Sequence, residues 1–93
     1  SKAALHHLSR HLAKLLAPKH ILVNVIAPGM FPSRMMTETL KQRGEEAVLA
    51  RVPLKRFVHE TDMAGAAMFL ASKASSFVTG TILPVDGGTA TTL

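Results

Sequence analysis

Four leucines make the first apolar stripe of the chain. They recur at spacings of three and four residues, which place them on one face of a helix: Leu5, Leu8, Leu12 and Leu15. Pro18 lacks an amide proton and clashes with the preceding turn, so a helix ends there. The pattern predicts a helix over residues 1–17. It starts abruptly at Ser1, which is typical of a truncated element rather than of a natural domain start.

Residues 20–27 (HILVNVIA) are almost continuously apolar and rich in Val and Ile. Such runs are typical of a parallel strand covered on both faces. Asn24 interrupts the run and needs a partner in either of two interpretations, because an unpaired buried amide is costly. It is a satisfied buried amide, or it donates a hydrogen bond that braces the loop after Ile26. The strand leaves the sheet through Pro28-Gly29, and ligands of open α/β sheets bind at such carboxyl ends.

The second half predicts two helices and a strand. Residues 34–50 form a weaker helical pattern that Gly44 is expected to break. A loop follows over residues 51–60, and Thr61 is the predicted N-cap of a buried helix that includes residues 63–71. Residues 77–85 again have strand character and end in the turn Asp86-Gly87-Gly88.

The element order is therefore helix–strand–helix–helix–strand. Strands separated by helices predict a parallel pair with a right-handed crossover, the unit of a doubly wound α/β fold. Two strands do not make a complete sheet, so the apolar faces are expected to need further strands upstream in a parent protein or an associating chain.

Composition narrows the class of protein. A length of 93 residues allows one domain, and a hydrophobic content of 47% is too high for a disordered segment. No run approaches the roughly 18 apolar residues that span a bilayer, and the first residues do not resemble a signal peptide. The chain has no Cys, which agrees with a reducing compartment, and we expect a cytoplasmic protein without membrane contact.

The net charge of +5 does not predict nucleic-acid binding. The basic residues are scattered along the chain, and there is no Trp or Tyr to stack on bases. A phosphorylated small ligand fits this charge better. His7 and His11 share a helix face, but no third ligand accompanies them, so we expect no metal site.

A series of short motifs resembles the carboxy-terminal part of the short-chain dehydrogenase/reductases. The motifs occur in the family's order and at its spacing over essentially the whole chain: residues 1–4 (SKAA), 23–29 (VNVIAPG), 33–35 (SRM), 53–56 (PLKR), 62–64 (DMA), 69–72 (FLAS), 79–80 (TG) and 85–88 (VDGG). Residues 28–35 (PGMFPSRM) also resemble the β-ketoacyl reductase branch linked to rhamnolipid synthesis. The resemblance implies that residues 1–93 are the C-terminal fragment of a single NAD(P)-binding, Rossmann-like domain.

The resemblance assigns Lys2 a catalytic and a cofactor-binding role. Lys2 aligns with the Lys of the family's Tyr-x-x-x-Lys motif, in which the Tyr donates a proton to the substrate carbonyl. Residues four apart share a helix face, so the ammonium can lower the pKa of the phenol and hold the nicotinamide ribose. Two residues would separate this Tyr from Ser1, and the chain itself contains no Tyr.

The loop after the first strand is the other implied cofactor contact. By resemblance, Pro28, Gly29, Met30 and Phe31 lie against the nicotinamide ring and carboxamide, and Ser33 replaces the usual Thr that contacts the carboxamide or pyrophosphate. The implied cofactor is NADP(H) or NAD(H), with NADP(H) favoured. Val58 and Glu60 depart from the family, which usually has Gly and Pro there.

The resemblance implies hydride transfer between a nicotinamide and a small-molecule carbonyl or alcohol, with 3-oxoacyl compounds as candidate substrates. The full-length parent is expected to be a homo-oligomer. The chain alone is expected to be inactive, because it lacks the catalytic Tyr and the Gly-rich dinucleotide loop. The alternative is a non-catalytic interaction module that associates through helix 1–17 and strand 77–85.

Overall fold

The computed structural model describes residues 1–31 and 44–92. In chain order the described elements are α1 (Lys2–Leu16), β1 (Val25–Pro28), α2 (Glu45–Leu49), α3 (Glu60–Ala71) and β2 (Ile82–Val85). This order confirms the predicted helix–strand–helix–helix–strand arrangement and the α/β class.

The two strands pair in parallel, as the sequence predicts. The register places Val25 opposite Ile82 and Pro28 opposite Val85. Helix α3 contacts both strands. Strands β1 and β2 therefore end at the same edge, which we call the carboxyl edge and define by residues 28–31 and 86–88.

Helix α1 begins and ends close to its predicted bounds. Ser1 is its N-cap, and the Ser1 hydroxyl accepts a hydrogen bond from the Ala4 amide at 3.2 Å. A short 3-10 turn, Ala17–Lys19, follows it, and His20 closes this turn with a left-handed φ of 59°. The proline therefore ends the α-helix as predicted, although one further turn is retained.

Both strands are shorter than the sequence predicts. Residues 20–24 and 77–81 lie outside the ladder. The reason is local: the turn ending at His20 and the positive φ of Gly80, 75°, both leave the extended conformation.

Asn24 links the two segments that lead into the strands. Its amide nitrogen donates to the Val78 carbonyl at 3.0 Å, and its amide oxygen accepts from the Thr81 amide at 3.1 Å. The interpretation of a satisfied amide is confirmed. The alternative, a brace for the loop after Ile26, is wrong, because both partners precede β2.

Helices α2 and α3 revise the predictions for the crossover. Gly44 is the N-cap of α2, so part of the predicted helical segment 34–50 is helical, whereas its residues 34–43 lie outside the described residues. The N-cap of α3 is His59, so the prediction of Thr61 is wrong. The Asp62 carboxylate accepts the His59 amide at 2.7 Å and thereby starts the helix two residues earlier.

The described residues bury few side chains. Ala13, Val48, Val52 and Ser75 are buried. No residue of α3 is buried, and Met68 is 71% exposed, so the prediction of a buried helix is wrong within this chain. The two strands contact α3 on one side, and the small side chains of this helix cannot shield the rest of its surface from solvent.

Candidate functional site

The carboxyl edge brings the two glycine motifs of the sequence into contact. The Gly29 amide donates to the Val85 carbonyl at 2.8 Å and extends the strand pairing by one residue. A Cβ atom on Gly29 would lie 2.8 Å from Asp86 Cα, closer than real Cβ atoms approach a backbone. Only glycine therefore lets the end of β1 pass this near to the end of β2.

The turn after β2 is fixed by its aspartate. The Asp86 carboxylate accepts the amides of Gly88 at 3.0 Å and Ala90 at 3.1 Å. Gly87 has a φ of 64°, and a Cβ atom there would lie 2.9 Å from Val52 Cγ1. The loop before α3 is tied to the same turn, since the Leu54 amide donates to the Gly87 carbonyl at 3.2 Å.

The loop before α3 also contacts the end of β1. The Val58 amide donates to the Met30 carbonyl at 3.0 Å. This bond joins residues 29–31, which follow β1, to the segment that leads into α3. The described part of the carboxyl edge is therefore supported from two directions, by the turn after β2 and by the segment before α3.

An ion pair holds the segment before α3. Arg56 Nη1 lies 2.8 Å from Asp62 Oδ2, and Arg56 Nη2 lies 3.2 Å from Asp62 Oδ1. The hydrogen bond from the Arg56 guanidinium, assisted by the His59 amide, lowers the pKa of Asp62 to about 2, and the same bond to Asp62 raises the pKa of Arg56. Both groups are therefore charged at neutral pH.

A cleft of about 340 Å³ lies at the carboxyl edge. Its lining includes backbone from both strand ends and the ion pair of the loop: Gly29, Met30, Arg56, Asp62, Asp86 and Gly88. The walls are apolar where Val52 and Phe57 line them and charged at one side. A small molecule with an apolar ring and a polar group suits such a lining.

The predicted cofactor residues divide into three groups. Gly29 and Met30 line the cleft, whereas Pro28 and Phe31 are exposed beside it in the chain and do not line it. Lys2 is exposed on the first turn of α1 and does not line the cleft either. Ser33 lies outside the described residues. The individual roles of these residues stay predictions.

Arg56 and Asp62 are the cleft residues that the sequence reasoning missed. Neither residue is among the site residues predicted from the sequence, although both lie in motifs of the family resemblance, residues 53–56 and 62–64. Their opposite charges flank the start of a predicted helix at a separation of six residues. That spacing is a usable signal, since an aspartate in the first turn can pair with a preceding arginine while it caps the helix.

The described residues supply neither a metal-binding cluster nor a membrane-spanning helix. Residues 1–31 and 44–92 contain no group of three or more His, Asp or Glu side chains arranged to hold a metal ion. In the same ranges, each helix is too short or too polar to cross a bilayer.

Comparison with known proteins decides the family. A family model described as enoyl-(acyl carrier protein) reductase matches residues 1–90. The chain is 49% identical over 89 residues to the rhamnolipids biosynthesis 3-oxoacyl-[acyl-carrier-protein] reductase of Pseudomonas aeruginosa. The chain belongs to the short-chain dehydrogenase/reductases. The predicted family is thereby confirmed.

One further relative and one solved structure agree with this assignment. The 3-oxoacyl-[acyl-carrier-protein] reductase FabG of Thermotoga maritima is 43% identical over 88 residues, which cover 95% of this chain. The structure of Pseudomonas aeruginosa RhlG in an NADP active-site complex matches with a TM-score of 0.83 and 49% identity, over 95% of this chain and 36% of that one. The match to both curated relatives covers 35% of their length, so this chain spans about a third of each.

Proposed function

We propose that the chain is the C-terminal part of an NAD(P)(H)-dependent oxidoreductase that transfers hydride between a nicotinamide and a carbonyl or alcohol substrate. The main support for this proposal is the position of residues 29–31 at the carboxyl edge. In a chain 49% identical to a 3-oxoacyl reductase, the Gly29–Phe31 segment leaves β1 at the edge where open α/β sheets bind ligands.

The described residues fit one side of a nicotinamide. Pro28 and Phe31 are exposed, and Gly29 and Met30 are half-buried, so an apolar ring has a surface to lie on. Gly29 carries no side chain that would stand between the ring and the strand end. When bound, the cofactor supplies or accepts the hydride. The chain's own part is to orient the ring and to keep water from one of its faces.

Lys2 has the second role in the proposal. Its exposed position on the first turn of α1 leaves the ammonium free to approach a ribose hydroxyl. A Tyr four residues earlier would share its helix face, and the positive charge would favour the ionised phenol. Neither that Tyr nor a Gly-rich loop is part of these 93 residues, and we propose that the chain alone is inactive.

The finer parts of the proposal rest on the relatives. The 3-oxoacyl reductases among them suggest a 3-oxoacyl substrate, and the NADP complex of RhlG suggests NADP(H) rather than NAD(H). Ser33 is proposed as a further polar contact to the cofactor. A cytoplasmic location and a homo-oligomeric parent complete the proposal.

Turnover by the full-length protein tests the proposal. NADPH or NADH consumption is measured with a panel of ketones and 3-oxoacyl thioesters. We expect Lys2→Ala to lower kcat/KM by about 10²-fold or more, the usual size of an acid–base contribution. Lys14→Ala is the matched control, since it removes the same charge from the same helix. Turnover by the isolated 93 residues, or equal rates for Lys2→Ala and Lys14→Ala, would contradict the proposal.

One observation favours the alternative of a non-catalytic interaction module. Three leucines of α1 are more than half exposed, Leu5 at 56%, Leu8 at 52% and Leu15 at 61%, and Phe77 is fully exposed. In this alternative, these side chains pair with another subunit. Sedimentation of the chain with and without a full-length homologue measures this association. A complex that forms without any nicotinamide-dependent turnover of the full-length protein would favour the module.

A further inference from the structure

Residues 57–59 are clamped on both sides by the Arg56–Asp62 pair. On one side, Arg56 Nη1 donates to the Phe57 carbonyl at 3.0 Å. On the other side, Asp62 Oδ2 accepts the His59 amide at 2.7 Å. The two charged groups also bond to each other in a bidentate fashion, so the backbone on either side of Val58 is held by one connected unit.

The residue between the two clamped positions is the one that contacts the carboxyl edge. The Val58 amide donates to the Met30 carbonyl at 3.0 Å. Met30 immediately follows Gly29, which is fixed by its bond to Val85. Residues 29–31 therefore have one anchor on β2 and a second anchor on a segment whose position depends on the ion pair.

We propose that Arg56 and Asp62 are positioning residues for the nicotinamide end of the cofactor, acting through the Val58–Met30 hydrogen bond. This inference rests on the proposed function, because it takes residues 28–31 as the nicotinamide wall. Neither side chain needs to touch the cofactor. Their effect is to fix the Met30 carbonyl, and with it the path of the backbone on which the ring lies.

The positioning role depends on the geometry of the Arg56–Asp62 pair and not on how strongly the pair stabilises the protein. Exposed ion pairs stabilise proteins little, and here the arginine side chain is 45% exposed and the aspartate 28%. However, a guanidinium presents several donors in a fixed plane, so it can bond to a carboxylate and to the Phe57 carbonyl at the same time. A lysine ammonium cannot hold both partners in this arrangement.

The test uses the full-length protein and two probes that differ only in the nicotinamide. The first is NADPH or NADH, whichever the wild-type protein binds more tightly. The second is the matching 2′-phospho-ADP-ribose or ADP-ribose, which lacks the ring. The variants are Asp62→Asn, which keeps an acceptor for the His59 amide, and Arg56→Lys. Their controls are Glu60→Gln, in the same helical turn, and Arg51→Lys, and both control positions are exposed.

We expect both test variants to raise the Kd of the dinucleotide about tenfold while the Kd of the ring-less probe changes less than about twofold. The controls should leave both constants unchanged. Amide hydrogen exchange at residues 57–59 should become faster in the test variants, and this readout does not depend on cofactor binding.

Each contrary result is decisive. Equal weakening of both probes would assign the pair a merely structural role and overturn the inference, as would unchanged binding of both. If the wild-type protein binds neither dinucleotide, the proposed function fails together with the inference. If it binds and turns over normally but the variants match their controls, only the inference fails.

Discussion

The carboxyl edge and helix α1 differ in how far the chain completes them. At the carboxyl edge, backbone amides and carboxylates find partners at short distances, and three glycines allow close approach: Gly29, Gly87 and Gly88. On α1, Ala13 is buried, but three of the four stripe leucines are more than half exposed. One region is held by contacts within the chain, whereas the other presents an apolar face that the described residues leave uncovered.

Some parts of a doubly wound fold are completed by contacts within one short stretch of chain, and others are not. The ends of two neighbouring parallel strands and the loop between them lie within this chain, so their polar groups can satisfy one another. A helix that covers a sheet needs several strands beneath it, and the described residues supply two. In our proposal the remaining surface belongs to the full-length parent.

The largest effect is expected at α1. Leu8→Ala in the full-length protein should lower the free energy of unfolding by about 3 kcal/mol, because a leucine covered by a complete sheet leaves a cavity when truncated. Urea unfolding measures it, with Lys14→Ala as the control on the same helix. A loss below about 0.5 kcal/mol, the size of a surface substitution, would show that the stripe stays exposed in the parent.

The next largest loss of stability is expected for a substitution at the carboxyl edge. Gly29→Ala is expected to cost about 2 kcal/mol, because its Cβ atom would meet Asp86 Cα at 2.8 Å and the strand ends would have to separate. Gly65→Ala is the matched control. It lies within α3 with nothing within 4 Å of the added Cβ, and it should gain up to about 1 kcal/mol from helix propensity. Equal stability of the two variants would disprove the close approach.

Asn24→Ala should cost about 1.5 kcal/mol, since the part-buried Thr81 amide loses its acceptor and the Val78 carbonyl loses a donor. Asn24→Asp keeps an acceptor for the Thr81 amide but cannot donate to Val78, so it separates the two bonds. Chemical unfolding of the three proteins gives the comparison. An alanine variant as stable as wild type would show that these bonds add nothing to the pairing of the strand entries.

The smallest effect concerns the ion pair and pH. The pKa of Asp62, about 2, lies below its ordinary value of 3.8, so the native state binds this proton less readily than the unfolded chain. The contribution of the ionised Asp62 to the free energy of unfolding is fully present above pH 3.8 and is lost as the pH falls towards 2. The stability difference between wild type and Asp62→Asn should therefore shrink over that interval and stay constant between pH 5 and 7. A difference that grows on acidification would contradict the depressed pKa.

Sequence patterns predicted the elements better than their ends. The leucine stripe identified α1 because 3.6-residue periodicity is a property of consecutive residues. The predicted strands are too long, because apolar composition does not show where backbone pairing between the strands stops. At Asn24 it is the side chain that accepts a hydrogen bond from the Thr81 amide. Thr61 was predicted as the N-cap, and the structure has His59 instead, because cap propensity ignores an aspartate that reaches back to the preceding amide.

The parts of the candidate site that lie in recognisable turn motifs could be predicted from the sequence. Gly29 and Asp86-Gly87-Gly88 were singled out as strand ends, and the structure brings them into contact. The segment around Val58 could not be placed from the sequence, because a loop has no periodicity and its path depends on bonds to Met30, Gly87 and Asp62. Its departure from the family's usual glycine gave no indication of this contact.

A structure of the full-length protein with bound NADPH is the most direct test of the proposed nicotinamide wall. We expect the nicotinamide ring to lie in van der Waals contact with residues 28–31 and Lys2 Nζ to lie within hydrogen-bond distance of a ribose hydroxyl. We also expect the Val58 amide to donate to the Met30 carbonyl in that structure. A nicotinamide bound away from residues 28–31, with Lys2 directed elsewhere, would disprove the proposed site.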